Sequence, residues 1–193
     1  AKWQVDVADT VGGLTANGIV EANQDLMTSS LNGTSGDIQV ASGETFETAN
    51  GTYSGIISGD GNLTMDGASN TLSLESANTY SGATTIQNGT LQIQSTGDLS
   101  DSTDLSLANS STFKLNGASV GVDELSSSSS NTTVNLVSSS TALTVGKGDA
   151  TGPTTFAGQI TGDGELTIDS SSNPNSYTQV IDNTANDYTG ATT

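Results

Sequence analysis

The chain has no cysteine, no histidine and no arginine, and its only basic residues are Lys2, Lys114 and Lys147. Without cysteine there is neither a disulfide framework nor a thiolate metal site. Without histidine a Ser-His-Asp triad is impossible. Against 3 basic residues stand 21 acidic ones, a net charge of -18. Nucleic acid and anionic membrane surfaces are repelled by such a chain, so neither is an expected partner. The acidity reads first as solubility for a long β surface. Aromatic residues make up 4% and hydrophobic residues 32%, too little for a thick globular core. No apolar run approaches the roughly 18 residues of a membrane helix, and no basic segment followed by an apolar one marks a leader. The expectation is a mature protein or an excised segment with no membrane insertion of its own.

What is abundant is Ser and Thr, 59 residues together, with 23 Gly against 2 Pro. Thr favours strands, Gly and Asn favour tight turns, and no window holds an apolar face at helical spacing. Low hydrophobicity with high charge is also the composition of disordered chains, but here the apolar residues are ordered. They come as pairs spaced by two: Val5/Val7, Ile38/Val40, Leu63/Met65, Leu72/Leu74, Leu91/Ile93, Leu105/Leu107, Phe113/Leu115, Val134/Leu136, Leu143/Val145 and Leu166/Ile168. Alternation puts both members of a pair on one face of a strand. Each pair therefore predicts a strand of about three to five residues between Gly, Asn, Asp or Ser turns. Two inward residues per strand suit a narrow coil of roughly 20 residues per turn that buries its pairs against the turns above and below. The fold expected is an all-β parallel β-helix, a β-solenoid of roughly nine short coils about 40–45 Å long at the usual strand spacing. A β-sandwich, with longer strands and more aromatic core, is the second reading.

The chain repeats itself at long range. "YSGIISGDGNLTMDG" (53–67) returns as "FAGQITGDGELTIDS" (156–170), and "YSGATT" (80–85) returns as "YTGATT" (188–193). The two shifts differ by a few residues around "SSSNPNSY" (170–177), which predicts a loop insertion between coils. The run Ser126 to Ser130 reads as a turn within one domain rather than a linker, because strand pairs flank it closely.

Gly59-x-Gly61-x-Leu63, then Gly67, Leu72-x-Leu74 and Asn78-Thr79-Tyr80-x-Gly82-x-Thr84-x-Ile86-x-x-Gly89-Thr90-Leu91 resemble the passenger-associated transport repeat of bacterial type V autotransporter passengers and related surface proteins. The likeness covers roughly 52–193, while 1–51 match in style alone and read as N-terminal coils or cap of the same single domain, 1–193. It departs from the pattern at Ser76, where the family usually has Gly, and at "YTQVIDN" (177–183), which replaces the leucine pair. The resemblance implies a right-handed parallel β-helix, export from a Gram-negative cell, and an extracellular or cell-surface role in adhesion, aggregation or biofilm.

Individual motifs read as structure. In Asn78-x-Tyr80-x-Gly82 the amide is expected to bond turn backbone, Tyr80 to cover the coil and Gly82 to supply a positive φ. Tyr188 and Gly190 are their counterparts in the second copy. Gly59-Asp60-Gly61 and Gly162-Asp163-Gly164 lack the Lys-Ser/Thr and helix of a phosphate loop and read as turns. Asp98, Asp101 and Asp104 form the best carboxylate cluster and a weak calcium candidate; a solvated turn is the default. No other cofactor is expected. The sequons Asn32-Gly33-Thr34 and Asn88-Gly89-Thr90 are expected by chance in so Ser/Thr-rich a chain. Stacked Asp residues could supply two carboxylates for cleaving a polysaccharide, a remote alternative, but arginine and histidine to hold an acidic sugar are missing. The chain is therefore read as non-enzymatic.

One alternative concerns assembly. The second repeat stops at Thr193, before the strand that closes the first, while Trp3, Val5 and Val7 alternate with polar residues at the start. Residues 1–7 of one copy could complete the last coil of the next, making a self-assembling fibre by strand complementation with Trp3 as anchor. The partners expected are other copies, end-to-end or side-by-side, or molecules of a host, cell surface or matrix.

Overall fold

The structure is a computed structural model that describes residues 1–149, 152–169, 171 and 177–193. Among these residues there is no helix, and parallel strands stack as a β-solenoid of about eight turns, close to the number read from the spacing. The sandwich alternative fails on this point. A sandwich needs antiparallel neighbours, and the register pairs are parallel throughout.

Each turn contributes rungs to three faces. The first face stacks Lys2–Val5, Ile19–Ala22, Asp37–Val40 and Ile56–Gly59 in one sheet and Ser119–Val122, Ala142–Val145 and Glu165–Ile168 in another. Between the two sheets the face is carried by isolated contacts, the bridge Ala77 to Asp98 among them. The second face runs through Asp9–Val11, Leu26–Thr28, Thr45–Thr48, Leu105–Leu107 and Leu125–Ser126; the third through Leu14–Thr15, Leu31–Gly33, Gly51–Tyr53, Thr112–Asn116, Thr133–Leu136 and Gln159–Gly162. Asn62–Leu74 and Thr84–Gln94 pass through a corner and serve both of these faces. These two strands are longer than the predicted three to five residues. The corner that separates Leu63/Met65 from Leu72/Leu74 is absorbed as register shifts at Asp66 within a continuing ladder, not as a break.

The inward residues make vertical columns, as the spacing of apolar pairs requires. On the third face Leu72, Leu91, Phe113, Val134 and Ile160 lie in register, with Leu74, Ile93, Leu115 and Leu136 beside them. All nine are buried. Leu91, Phe113, Val134, Leu74, Ile93 and Leu115 each lie between apolar side chains one rung below and one above, so a thin core is still covered. The turn lengthens along the stack, from 17 residues where Asn23 lies above Asp6 to 26 where Asn186 lies above Ile160. Extra residues enter at corners, since any insertion inside a rung would turn its apolar pair outward.

Glycines mark where rungs approach too closely for a side chain. Gly59 and Gly162 have φ of 96° and 101° and lie against the carbonyls of Val40 and Leu136 on the rung beneath, so the two Gly-Asp-Gly motifs are turns, as read from the sequence. The serine run is also a turn: Ser127 bridges Phe156, and Ser129 closes it by accepting from Thr132. The insertion expected around 170–177 lies, Ser171 and Tyr177 apart, outside the described residues.

Leu91→Ala should cost about 2–5 kcal/mol in urea unfolding, the usual range for a buried leucine with neighbours unable to collapse into the gap. The outward neighbour Gln92→Ala should stay within about 0.5 kcal/mol.

Candidate functional site

The motif that opens the second turn of the repeat builds a corner from side chains rather than from backbone alone. The rung at Asn78 does not form a continuous ladder with Ile56–Gly59, so the amide supplies what the backbone leaves out. Asn78 Oδ1 accepts the Ile57 N–H at 2.9 Å, and its Nδ2 donates to the carbonyls of Ser76 at 3.0 Å and Asp98 at 2.9 Å. One buried amide thus ties three successive turns together. This is the role read from the sequence.

Tyr80 differs from expectation. It does not cover the coil from outside; it lies fully inside it. Its hydroxyl meets Thr84 Oγ1 at 2.6 Å, Thr84 meets Thr103 at 3.0 Å, and Thr103 donates to the Gly82 carbonyl at 2.7 Å. Burial raises the Tyr80 hydroxyl well above the ordinary tyrosine range, and the Thr84 and Thr103 bonds offset part of that. A buried hydroxyl needs such partners. The pattern Tyr-x-x-x-Thr held that signal: at four residues' distance the threonine can return to the ring's tip.

Gly82 also corrects its expected role. It has no positive φ; it is glycine because a Cβ would land on the Gly61 carbonyl one rung below. Gly190 sits in the same way over Gly164. The second copy reproduces the two central bonds of the corner, while its amide Nδ2 donates to the Asn183 carbonyl instead. Asn186 Oδ1 accepts the Ile160 N–H at 2.7 Å, and the Tyr188 hydroxyl meets Thr192 at 2.5 Å. Ser81 and Thr189 each donate to the Gly-Asp-Gly carboxylate of the preceding turn, Asp60 and Asp163, at 3.0 Å. Tyr188 is half-buried where Tyr80 is enclosed, with no described rung above it.

The two copies occupy different faces. Ile57 and Asn78 stand on the first face, whereas Ile160 joins the third-face ladder of Thr133–Leu136 and carries Asn186 above it. Leu63 lies on the second face, and its counterpart Leu166 on the first. The same chemistry is therefore displaced by one third of a turn.

A second aromatic separates the copies. Tyr53 and its counterpart Phe156 both lie over the glycine two residues on, Gly55 and Gly158, where a Cβ would strike the ring. Both rings are buried, but the Tyr53 hydroxyl has no hydrogen-bond partner among the described residues.

The proposed calcium trio does not converge. Among the described residues no three acidic side chains are placed to hold a metal ion. Asp98 and Asp101 line a cavity of about 200 Å³ with Ser119, Gly121, Thr144 and Lys147, while Asp104 faces Glu124, Asp123 and Asp149 at the next corner. Three residues advance the chain past a corner, which separates carboxylates that look adjacent in sequence. Nor is Asp98 a freely solvated turn residue. Burial pushes its carboxyl up to about 6, and the bond from the Leu99 N–H at 2.9 Å opposes the shift, as does Lys147; Asp101 adds to it.

The N-terminal residues take places in the chain's own first turn. Trp3 pairs with Val20 and Val5 with Ala22. Val5 is buried, Trp3 is 37% exposed, and Val7, beyond the strand, is 77% exposed. The expected alternation fails at Trp3 because no described rung lies beneath it. In this structure Lys2–Val5 is a rung of its own solenoid, held by Ile19–Ala22 and a Lys2–Glu21 ion pair of 2.6 Å.

Comparison with protein families matches residues 63–93 to the family described as passenger-associated-transport-repeat. Residues 63–93 are thus similar to a passenger-associated transport repeat. The matched stretch begins at Leu63 in the second-face column and ends at Ile93 in the third-face column one turn later, so it spans the corner built by Asn78, Tyr80 and Gly82. The repeat and the solenoid together fit an autotransporter passenger with a β-helix. The family points to a secreted or cell-surface location. The chain has no match among curated proteins or solved structures. Among the described residues no helix is long and apolar enough to cross a membrane.

The two aromatic hydroxyls should respond in opposite ways. Tyr80→Phe, which removes one of the Thr84 hydroxyl's two partners and leaves Thr103, should cost about 0.5–1.5 kcal/mol in urea unfolding, while Tyr53→Phe should be neutral or stabilising by about 1 kcal/mol.

A carboxyl raised by folding binds its proton more tightly in the folded state. Its contribution to stability is complete below the unfolded value of 3.8 and is lost as pH rises from there to about 6. Urea midpoints should accordingly fall over that interval. Asp98→Asn should flatten the fall and raise the midpoint at pH 7, leaving a residual slope from Glu47 and Asp104, whose carboxyls burial also raises.

Proposed function

We propose that this chain is a non-enzymatic structural or adhesive β-helix of the bacterial cell surface, a segment like those of autotransporter passengers that serves adhesion, aggregation or biofilm. The observation that carries the reading is the transport repeat lying as a regular part of an extended solenoid, with its distinctive residues spent on joining turns. Asn78, Tyr80 and Thr84 are buried and hydrogen-bonded within their own corner and to adjoining turns, so their chemistry is used for cohesion. A chain free of histidine, arginine and cysteine also has few means to activate a nucleophile or grip a charged substrate. The partners proposed are molecules met outside the cell, including other copies of the chain. Absence of cysteine agrees with passage across an outer membrane as an unfolded chain, which a disulfide would obstruct.

The test is display. Cells expressing the chain within its native precursor should present it to antibody and to added protease without lysis, and should settle or form biofilm faster than cells lacking it. Retention of the chain inside intact, protease-treated cells would overturn the surface reading. Display without any change in settling, biofilm or attachment would overturn the adhesive one.

A further inference from the structure

The third face differs from the other two in its charge. Among the described residues, none of its rungs, from Leu14–Thr15 through Leu31–Gly33, Gly51–Tyr53, 71–74, 90–94, Thr112–Asn116 and Thr133–Leu136 to Gln159–Gly162, carries an acidic residue, in a chain that holds 21. The first face carries Glu21, Asp37 and Glu165 on its strands, and the second Asp9 and Glu47. The third face carries Lys114 instead.

The polar residues between its core positions form one column, Thr15, Asn32, Thr52, Ser73, Gln92, Lys114, Asn135 and Thr161, each in register with the next and exposed or half-buried at every rung except Ser73, which is buried. At the usual rung spacing the column is about 34 Å long. A second column, Thr71, Thr90, Thr112 and Thr133, runs beside it. Much of the hydrogen-bonding capacity here is unspent, the exceptions being Ser73, which accepts from Gln94 at 3.0 Å, and Gln94, which accepts from Asn116 at 2.7 Å. At the corners Asn23, Asn78, Asn88 and Asn109 are all bonded to neighbouring turns. On the third face the side chains of Asn32, Thr52, Gln92, Lys114, Asn135 and Thr161 bond to no other described residue.

We infer that the third face is a docking surface for an uncharged polysaccharide lying lengthwise along the stack. Donors and acceptors recur once per rung, which suits a ligand that also repeats along its length, so that many weak contacts add along one chain. The acidic faces on either side repel polyanions and leave neutral polymers unaffected. A protein partner is disfavoured because the face offers no apolar anchor. Of the exposed large hydrophobic residues, Trp3, Ile19 and Ile56 lie on the first face, Val7 just beyond its first strand, Met27 and Val180 on the second, and Val137 beyond the end of its third-face strand. This deepens the surface reading above and rests on it for where such a polymer is met; the binding itself is measured on purified protein.

The full chain is mixed with amorphous cellulose and with soluble dextran at low and high salt. Retention or retardation by at least one of these glucans is expected, and it should not change with salt, since no ion pair is broken. Gln92→Glu/Asn135→Asp should weaken it at least tenfold, and Gln92→Ala/Asn135→Ala severalfold without added charge. Thr85→Glu/Ser126→Glu on the second face, two rungs apart with Ser106 between them, should leave it unchanged. Absence of binding to both glucans overturns the inference, and so does equal loss in the second-face control. Glucan-free self-association that the third-face substitutions abolish would assign the face to a second copy and overturn it equally. Surface display, measured on cells, is indifferent to all of these outcomes, so the two readings fail separately.

Discussion

Backbone hydrogen bonding between successive rungs is the constraint on which everything else in this molecule depends. A parallel rung has no partner within its own turn, so its N–H and C=O groups must be met by the rungs below and above. Register is then inherited from turn to turn, and with it the position of every side chain. Apolar pairs fall into columns such as Leu72, Leu91, Phe113 and Val134, and a small number of hydrophobic residues covers itself completely. Where the chain turns a corner and backbone cannot reach backbone, a side chain takes its place: Asn78 below, Asn186 above.

The same constraint explains how one repeat can sit on two different faces. Nothing in the Asn-x-Tyr-x-Gly corner refers to a particular side of the coil. It needs a rung beneath with a spare N–H, a glycine carbonyl for Gly82 or Gly190 to pass over, and a threonine four residues after the tyrosine. Ile57 supplies the N–H on the first face and Ile160 on the third, with the same bonds. Faces of a three-sided solenoid with two inward residues per rung are interchangeable to such a motif. The turn length can therefore drift from 17 to 26 residues while the local chemistry is kept.

Most of the fold was legible in the sequence because the deciding signals are local. Alternation at spacing two names the inward residues, and glycine names the corners. The joining role of Asn78 was legible for the same reason. What escaped depends on neighbours about twenty residues away. Tyr80 looks like a lid until the turns on both sides enclose it. Gly82 looks like a φ requirement until Gly61 is placed beneath it. Asp98, Asp101 and Asp104 look like one cluster until a corner divides them, and Trp3 looks inward until the rung that would cover it is sought. The acid-free third face was invisible for a related reason: only folding into turns of slowly growing length shows that the acids fall at corners and on the other two faces.

That sorting bears on how a chain of net charge -18 stacks at all. Like charges in register on adjacent rungs stand about 4.8 Å apart and repel. Here a carboxylate is repeatedly met by a neutral donor from the adjoining turn: Asn23 on Asp6 at 2.8 Å, Ser58 on Asp37 at 2.7 Å, Ser81 on Asp60 at 3.0 Å, Asn88 on Asp66 at 2.7 Å and Thr189 on Asp163 at 3.0 Å. The serine, threonine and asparagine that dominate the composition are the partners that let acids occupy consecutive turns. Where the rule lapses, the cost surfaces in the titration. Asp104 is raised by burial and then by Glu124, Asp123 and Asp149; Glu47 by burial and then by Asp66 and Asp25. Alternation of acid with hydroxyl or amide is thus a second register condition, laid over the apolar one, and it is met by residues that a hydropathy pattern counts only as polar.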